Sequence, residues 1–584
     1  MGEKFQRIDG MMALAKHWLV APAAEPGHLQ RYRAMSPVLA QILYNRGLTD
    51  PGEAYNFLLA DDLAAGSLLA IKRPRNSSID RALTRIRAAI KARERIVVFG
   101  DFDADGVTST ALLVQALERL GADVHPYIPH RVDEGYGLNS DALLQLARAG
   151  TKLVITVDCG IRSVQEVEDG NAAGLDMIIT DHHSVGADIP NALAVINPKL
   201  DDCAYSEDML AGVGVAYRLA EALYTVAAGS VRNGSTPNPD ELLDLVAIGT
   251  VADLVPLNRL ENRMLVRRGL ALVNRAQRPG LRALMNVSGL KPGGVGAEQI
   301  GYGIAPRINA AGRLETAMIA YELLATGDWT QAELLASQLQ GLNMQRQEMT
   351  RAAQELVRGQ LTETSLPLIR VRPAYKPGIV NGGGAAGRGI LPPGNRHGRG
   401  RYRKPCLVPQ HPAVRHHWRT RPVRGAAGAA RRGHARRQPS PSSTRISHAA
   451  RATAGLARTA LDGQDLAPTL NVDLELDAKL INLDLATELL RLEPTGHGNP
   501  TPVFVTRNLR VQDYRTVGRD EGHLKLKLGR YGDAPLDAIG FNLGDWTRRM
   551  PPSVDLAYQL EINEWNGSRT AQMNILDMRP AERA

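Results

Sequence analysis

Between residues 78 and 260 the sequence alternates short apolar runs with amphipathic segments, and this alternation restricts the possible folds more than any other feature. The runs RIVVFG, LVITV and DMIIT are rich in β-branched residues, whereas TSTALLVQALERLG and DALLQLARAG have helical periodicity. Strands that alternate with helices are typical of a parallel sheet covered by helices on both faces. The sequence therefore predicts an α/β domain over residues 78–325.

The rest of the 584-residue chain, too long for one core, divides into four further predicted regions. Residues 1–77 are predicted to form short helices, and residues 326–362 a long amphipathic connecting helix. Residues 463–584 contain the alternating run HLKLKLG and two predicted strands joined at Asn566-Gly567, a pattern that favours a small β-barrel. Residues 363–462 separate the helix from this barrel.

Acidic residues directly follow the predicted strands, where open α/β sheets bind their ligands. They are Asp101, Asp103 and Asp105 after the first run, Asp158 after the second, Asp181, His182 and His183 after the third, and Asp253 after a fourth run, VAIGTVA. Crowded carboxylates repel one another, and divalent cations remove that repulsion. Aspartate with imidazole suits Mn²⁺ or Mg²⁺, and two such ions can activate water and stabilise a phosphoryl displacement. Helix capping explains a single aspartate of this kind but not the set, so the sequence predicts a metal centre.

Four motifs, DFDADG, VDCGI, TDHH and GTVADLVPL, occur in this order and resemble those of the DHH phosphoesterases. Three more, PHRVDEGYGLN, APRINAAGRL and EPTGHGNPTPVF, narrow the resemblance to the RecJ exonucleases of that superfamily and extend it over nearly the whole chain. The resemblance implies a DHH-type parallel-sheet domain, a long connecting helix, a DHHA1-type α/β domain and a C-terminal oligonucleotide-binding-like (OB-like) β-barrel.

The resemblance also assigns roles to individual residues. The implied metal ligands are Asp101, Asp103, Asp158, His182 and Asp253, with Asp158 as the bridge between two ions and Asp105 as a further ligand or close neighbour. His183 is expected to contact the scissile phosphate, and Asp181 to orient His182. The expected DNA contacts are Arg307, Asn309 and Arg313 in a Gly/Ala-rich turn, and His130 and Arg131 along the path of the strand.

The implied function is 5′-to-3′ exonuclease activity on single-stranded DNA with two Mn²⁺ or Mg²⁺ ions, in DNA recombination and repair, alongside a single-strand-binding protein and a helicase. The alternatives are a DHH phosphodiesterase for short oligonucleotides or a cyclic dinucleotide, and a catalytically inactive DNA-binding relative. The sequence has no run of 18 apolar residues, no secretory signal and no zinc or disulfide spacing among its three cysteines. We therefore expect no membrane span and a cytoplasmic location.

Residues 364–461 carry eighteen arginines, two lysines and no acidic residue, so the remainder of a chain with net charge +9 is near −11. One interpretation of this segment is a basic DNA-binding arm. The other is a frame-shifted translation of residues 381–460. Read one base later, the codons permitted for residues 386–399 allow LAEEYYRPAIVMGE, and those for residues 404–420 allow SRASCRSIPQFDITGAL.

Both shifted sequences fit the RecJ pattern at the correct relative positions, so we favour the frame-shift interpretation. The segment as written has too little apolar periodicity to form a core. We predict that it disrupts the DHHA1-like domain and impairs strand capture, whereas the metal-site motifs all precede it.

Overall fold

The computed structural model describes residues 7–8, 11–12, 16–59, 77–131, 133–201, 203, 205, 207–228, 237–359, 467–518, 520–529, 535–565 and 567–581. The chain divides into two compact units. One contains residues 18–343 and 470–584, and the other contains the described parts of residues 1–17 and 344–469. The predicted DHHA1-like region, residues 363–462, and the proposed frame-shifted segment lie outside the described residues.

A parallel sheet lies at the centre of the larger unit, as the alternation predicted. The described strands between residues 1 and 200 are β1 (Arg7–Ile8), β2 (Met11–Met12), β3 (His17–Val20), β4 (Arg95–Gly100), β5 (Asp123–Tyr127), β6 (Leu153–Val157), β7 (Asp176–Thr180) and β8 (Ala194–Ile196). The sheet order is β5-β4-β6-β7-β8 with every pairing parallel. All five residues of β6 are buried, because helices cover both faces of the sheet.

Helices surround this sheet and begin where the sequence supplies capping residues. The helices are α1 (Pro26–Leu29), α2 (Pro37–Asn45), α3 (Pro51–Leu58), α4 (Ser78–Ala92), α5 (Ala104–Arg119), α6 (Ser140–Arg148), α7 (Val164–Ala172), α8 (Gly212–Ala228), α9 (Leu243–Ala252), α10 (Leu260–Arg275), α11 (Pro279–Ser288), α12 (Ala297–Gln299), α13 (Ala305–Leu314), α14 (Met318–Ala325), α15 (Trp329–Gly359) and α16 (Leu483–Leu489). Ser36 and Asp50 cap α2 and α3, each followed by a proline at the first helical position. Asp103 caps α5, with its side chain accepting hydrogen bonds from Asp105 and Gly106.

The C-terminal strands are β9 (Thr469–Val472), β10 (Leu474–Glu475), β11 (Phe504–Val517), β12 (His523–Gly529), β13 (Leu536–Gly540), β14 (Ser553–Trp565) and β15 (Ser568–Pro580). Strand β9 pairs with β3 in a separate two-stranded sheet, and β10 pairs with β11, whereas β11 to β15 form a closed barrel. The order β11-β12-β13-β15-β14 is closed by pairing of β14 with β11. The predicted alternation in HLKLKLG is confirmed, since Leu524, Leu526 and Leu528 all point into the core.

Two local predictions are wrong. The segment APRINAAGRL is the helix α13 and not a turn, since its alanines favour a helix and Gly312 lets it approach the carbonyl of Phe102 closely. The apolar run before Asp253 is the helix α9 and not a strand. This helix is buried on all sides, so its sequence lacks the polar face that would have revealed helical periodicity.

Among the described residues, no helix is long and apolar enough to cross a membrane.

Candidate metal centre

The loop between β4 and α5 brings three aspartates to the carboxyl edge of the sheet. Asp101 and Asp105 are buried, with exposed fractions of 2% and 1%. The Asp103 carboxylate is fixed by its capping bonds from the Asp105 and Gly106 N–H groups, at 3.0 and 3.2 Å. A Cβ at Gly106 would lie 2.4 Å from the Asp101 carbonyl oxygen, so this tight approach requires glycine.

Asp105 is held from the opposite side of the site by the first turn of α8. Its two carboxylate oxygens accept hydrogen bonds from Gly212 N at 2.7 Å and Val213 N at 2.9 Å. Glycine is needed on both neighbouring helices, because a Cβ at Gly212 would meet Asp158 and one at Gly249 would meet Asp105. These two glycines were not identified from the sequence as part of the site.

Asp158 occupies the middle of the cluster. It follows β6 with a φ of +59°, an unusual conformation for a non-glycine residue, and it is 2% exposed. Its Oδ1 lies 3.0 Å from His182 Nε2. Neither of these two buried atoms has a hydrogen-bond partner within the described part of the chain. Two buried, unpartnered ligand atoms 3.0 Å apart fit a divalent cation.

The Asp181-His182-His183 turn follows β7, and its interactions differ from the predicted ones. Asp181 Oδ1 contacts His183 Nδ1 at 2.8 Å, so Asp181 orients the ring of His183 rather than that of His182. The His182 ring bonds the carbonyl of Leu210 instead, and the His182 carbonyl accepts a bond from Lys199 Nζ at 2.6 Å. Sequence reasoning missed both of these partners because they lie in loops distant along the chain.

Asp253 reaches the centre from the end of α9. One carboxylate oxygen lies 3.7 Å from His182 Nε2, and Asp105 lies 3.8 Å from the same atom. Ligand atoms therefore converge in overlapping groups, within 4.8 Å of one another in each: Asp101, Asp103 and Asp158; Asp105, His182 and Asp253; and Asp158, His182 and His183. Asp158 belongs to the first and third groups and His182 to the second and third, so these two residues link the groups.

Electrostatics in this cluster match a site for cations. Burial, followed by repulsion from neighbouring aspartates, raises the pKa values of Asp105 and Asp158 well above their usual range. Burial and the charge of Asp103 raise the pKa of Asp253 to about 6. Burial lowers the pKa of His182 to about 4, so its ring is neutral and can act as a ligand. A divalent cation here would favour the ionised carboxylates and reverse the repulsion.

The pKa of His183 is shifted in the opposite direction to that of His182. Its hydrogen bond to Asp181 raises its pKa, which favours a protonated ring. The Tyr136 hydroxyl lies 3.4 Å from His183 Nε2, and the Tyr136 ring packs edge-on against the ring of Phe102. Neither aromatic residue was singled out from the sequence. The guanidinium of Arg131 lies over the ring of Phe102, 4.5 Å from its centre.

The remaining predicted DNA contacts differ in their local partners. Asn309 accepts a hydrogen bond from Ala104 N at 2.9 Å, so it supports the β4–α5 loop. Arg307 is half-buried on α13 and donates to Gln340 and to the carbonyl of Gly303. His130 pairs with Asp133 at 2.7 Å, and Arg313 lies in the last turn of α13.

Comparisons with known proteins agree with this geometry. The model of the "DHH family, N-terminal domain" matches residues 95–250, and that of the "RecJ OB domain" matches residues 472–577. The chain is 36% identical to the single-stranded-DNA-specific exonuclease RecJ of Dickeya dadantii over 86% of this chain and 90% of that protein. It is 35% identical to the Bacillus subtilis exonuclease of the same name over 94% of this chain and 68% of that protein.

Solved structures of a Thermus thermophilus protein give the same result. The crystal structure of RecJ in complex with Mn²⁺ matches with a TM-score of 0.73 at 28% identity, covering 97% of this chain and 80% of that one. The corresponding complex with Mg²⁺ matches with a TM-score of 0.68 at 26% identity, covering 97% and 79%.

Proposed function

The chain belongs to the RecJ family of DHH phosphoesterases, and from this premise we propose that it hydrolyses single-stranded DNA from the 5′ end in a metal-dependent exonuclease reaction. The observation that carries the proposal is the set of overlapping ligand groups that Asp158 and His182 link. Relatives of this chain have been crystallised with Mn²⁺ and with Mg²⁺, and carboxylate–imidazole sets suit both ions.

The proposed ligands divide into two sets around Asp158. Asp101 and Asp103 would hold one ion, whereas Asp105, His182 and Asp253 would hold the other. When bound, two such ions supply activation of the attacking water and neutralisation of charge on the phosphate. The protein holds these carboxylates with the capping bonds of Asp103 and the α8 backbone bonds to Asp105.

His183 is proposed to bind the scissile phosphate. Asp181 holds its Nδ1 side and favours the protonated ring, which leaves Nε2 as a charged donor beside the cluster. Arg131 beside Phe102 and Arg307 on α13 are proposed to add positive charge for the nucleic-acid backbone. Asn309 acts in this proposal through the β4–α5 loop that it supports.

The C-terminal barrel is proposed to bind the single strand beyond the active site. Its closed strand order is that of an oligonucleotide-binding barrel. Arg515 and Lys525 are cross-strand neighbours on β11 and β12, and Tyr514 and Phe541 are 45% and 52% exposed. Basic and aromatic side chains of this kind bind single strands by backbone charge and base stacking.

The proposal extends to the partners and the location of the protein. A nuclease for single strands needs a source of unwound DNA, so we infer that a helicase and a single-strand-binding protein work with it in recombination and repair. A cytoplasmic location follows from that role.

A chain-length series of labelled oligonucleotides tests the proposed function. We expect Mn²⁺-dependent release of mononucleotides from the 5′ end of long single strands, little degradation of duplexes, and no activity in Asp103→Ala. The matched control is Asp50→Ala, which removes an equivalent aspartate N-cap from α3 at a residue outside the ligand groups. Cleavage of only dinucleotides or cyclic dinucleotides, or unchanged activity in Asp103→Ala, would contradict the proposal.

A further inference from the structure

The EPTGHGNPTPVF motif lies outside the metal centre, yet one of its turns packs against the segment that follows Asp253. The Leu257 N–H donates to the carbonyl of His497 at 2.7 Å. Gly498 has a φ of +74°, and a Cβ there would stand 2.6 Å from Asn258 Oδ1 and 3.0 Å from Pro256 Cβ. The turn at residues 495–499, hereafter the C-terminal turn, therefore leaves no space between itself and residues 256–258.

The segment that joins Asp253 to α10 depends on such support. Leu254 has a φ of +59° and a side chain that is 69% exposed, so a large apolar residue adopts a strained conformation in solvent. Asp253 itself is attached to α9 by a backbone hydrogen bond to Gly249 at 2.9 Å. A displacement of residues 256–258 would thus be transmitted to Asp253 across only two residues.

The C-terminal turn is rigidly held, so it can resist displacement. Asn499 is fully buried and donates to the carbonyls of Leu492 and Pro494, both at 2.8 Å. Arg263 is fully buried on α10 and donates to the carbonyls of Leu492 at 2.9 Å and Glu493 at 2.7 Å. Charge-assisted hydrogen bonds in a buried site are strong, so Arg263 ties the start of α10 to Leu492 and Glu493, and Asn499 ties the C-terminal turn to the same segment.

Asn262 connects the same body to a second ligand loop. This fully buried residue donates from Nδ2 to the carbonyl of Pro256 at 3.2 Å and to that of Met209 at 2.8 Å. Met209 precedes Leu210, whose carbonyl bonds the His182 ring. One side-chain amide therefore holds the loops that place two proposed ligands, Asp253 and His182.

We propose that the C-terminal turn and Asn262 are positioning elements for the metal centre, so that a motif of the C-terminal region sets the affinity of the site at Asp253. This inference rests on the proposed function, because it takes Asp253 and His182 as ligands. Groups that hold metal ligands in this way typically change metal affinity by about 10- to 100-fold when altered.

The test is a titration of the full chain with Mn²⁺, for wild type and for Gly498→Ala. Binding is measured from the electron paramagnetic resonance signal of the free Mn²⁺ that remains. The matched control is Gly289→Ala, because Gly289 has a similar φ of +71° but no atom within 4 Å of its Cβ position. We expect Gly498→Ala to weaken one of the two Mn²⁺ sites by about tenfold. Gly289→Ala should bind as wild type does, although both variants carry the same backbone strain.

Two further variants keep the proposal testable. Adding Asn258→Ala to Gly498→Ala removes two of the three closest contacts of the new Cβ and should restore binding. If Gly498→Ala does not fold, Asn262→Leu serves instead, because leucine is similar in size to asparagine but cannot donate to the carbonyls of Met209 and Pro256. This variant should also weaken Mn²⁺ binding by about tenfold.

The outcomes separate this proposal from the proposed function. Wild-type affinity in Gly498→Ala, or an equal loss in Gly289→Ala, would overturn the positioning role. Absence of Mn²⁺ binding in the wild type would instead overturn the metal centre itself.

Discussion

Replacing Asp253 by asparagine should stabilise the protein when no metal is present. The Asp253 side chain is 29% exposed, and burial together with Asp103 raises its pKa from 3.8 to about 6. A carboxyl group with a raised pKa in the folded state stabilises the fold only while it is protonated. Its contribution is therefore complete below pH 4 and is lost as the pH rises to about 6.

The magnitude follows from the two pKa values. A rise from 3.8 to about 6 corresponds to about 3 kcal/mol of folding free energy lost above pH 7. Asparagine has nearly the same shape and no charge, so Asp253→Asn should recover most of this energy. For a domain of this size that amounts to an increase in Tm of about 6 to 12 °C.

The assay is thermal unfolding in EDTA at pH 8 and pH 4, for wild type and Asp253→Asn. We expect the variant to unfold at the higher temperature at pH 8 and the two proteins to unfold together at pH 4. Saturating Mn²⁺ at pH 8 should narrow or reverse the difference, because an ion at 100 times its Kd adds about 2.7 kcal/mol to the wild type. Asp244→Asn is the contrasting control, since it breaks a buried ion pair with Arg278 and should destabilise the protein. A lower Tm for Asp253→Asn in EDTA at pH 8 would refute the reasoning.

Further predictions follow from the same geometry. Asp158→Asn should reduce Mn²⁺ binding at both sites, because Asp158 groups with Asp101 and Asp103 and also lies 3.0 Å from His182, and a titration showing one intact site would contradict this. Mn²⁺ binding should release more protons at pH 6 than at pH 8 in a weakly buffered indicator solution, since the pKa values of Asp105 and Asp253 are raised without metal. Arg307→Ala should raise the KM for single-stranded DNA and reduce its salt dependence by about one phosphate contact, with Mn²⁺ affinity unchanged. Sequencing the gene across codons 370–470 should reveal the compensated reading frame, whereas confirmation of the frame as written would show an altered second domain.

The fold of the larger unit could be read largely from hydrophobic patterning. The runs RIVVFG and DMIIT coincide with β4 and β7, since parallel strands buried on both faces need continuous apolar residues. The hairpin around Gly567 was likewise marked by its turn residues. The helix before Asp253 was mistaken for a strand end because it is buried all round.

The candidate site was only partly predictable. Its acidic residues stand out because carboxylates rarely follow buried strands in such numbers, and the structure brings the predicted ligands together. Their supports do not stand out, since Gly212, Gly249 and Asn262 act through contacts between segments distant along the chain. The partner of Asp181 was also misjudged, because adjacent histidines place their rings in different directions and sequence spacing does not reveal which ring it meets.

The number of Mn²⁺ ions bound per chain tests the central claim most directly. The groups of ligand atoms linked by Asp158 and His182 predict two bound ions in the full chain at pH 8, and all of these ligands lie between residues 101 and 253. Two ions lost together in Asp158→Asn would establish the centre. Binding of one ion or none by the folded wild-type chain would contradict it.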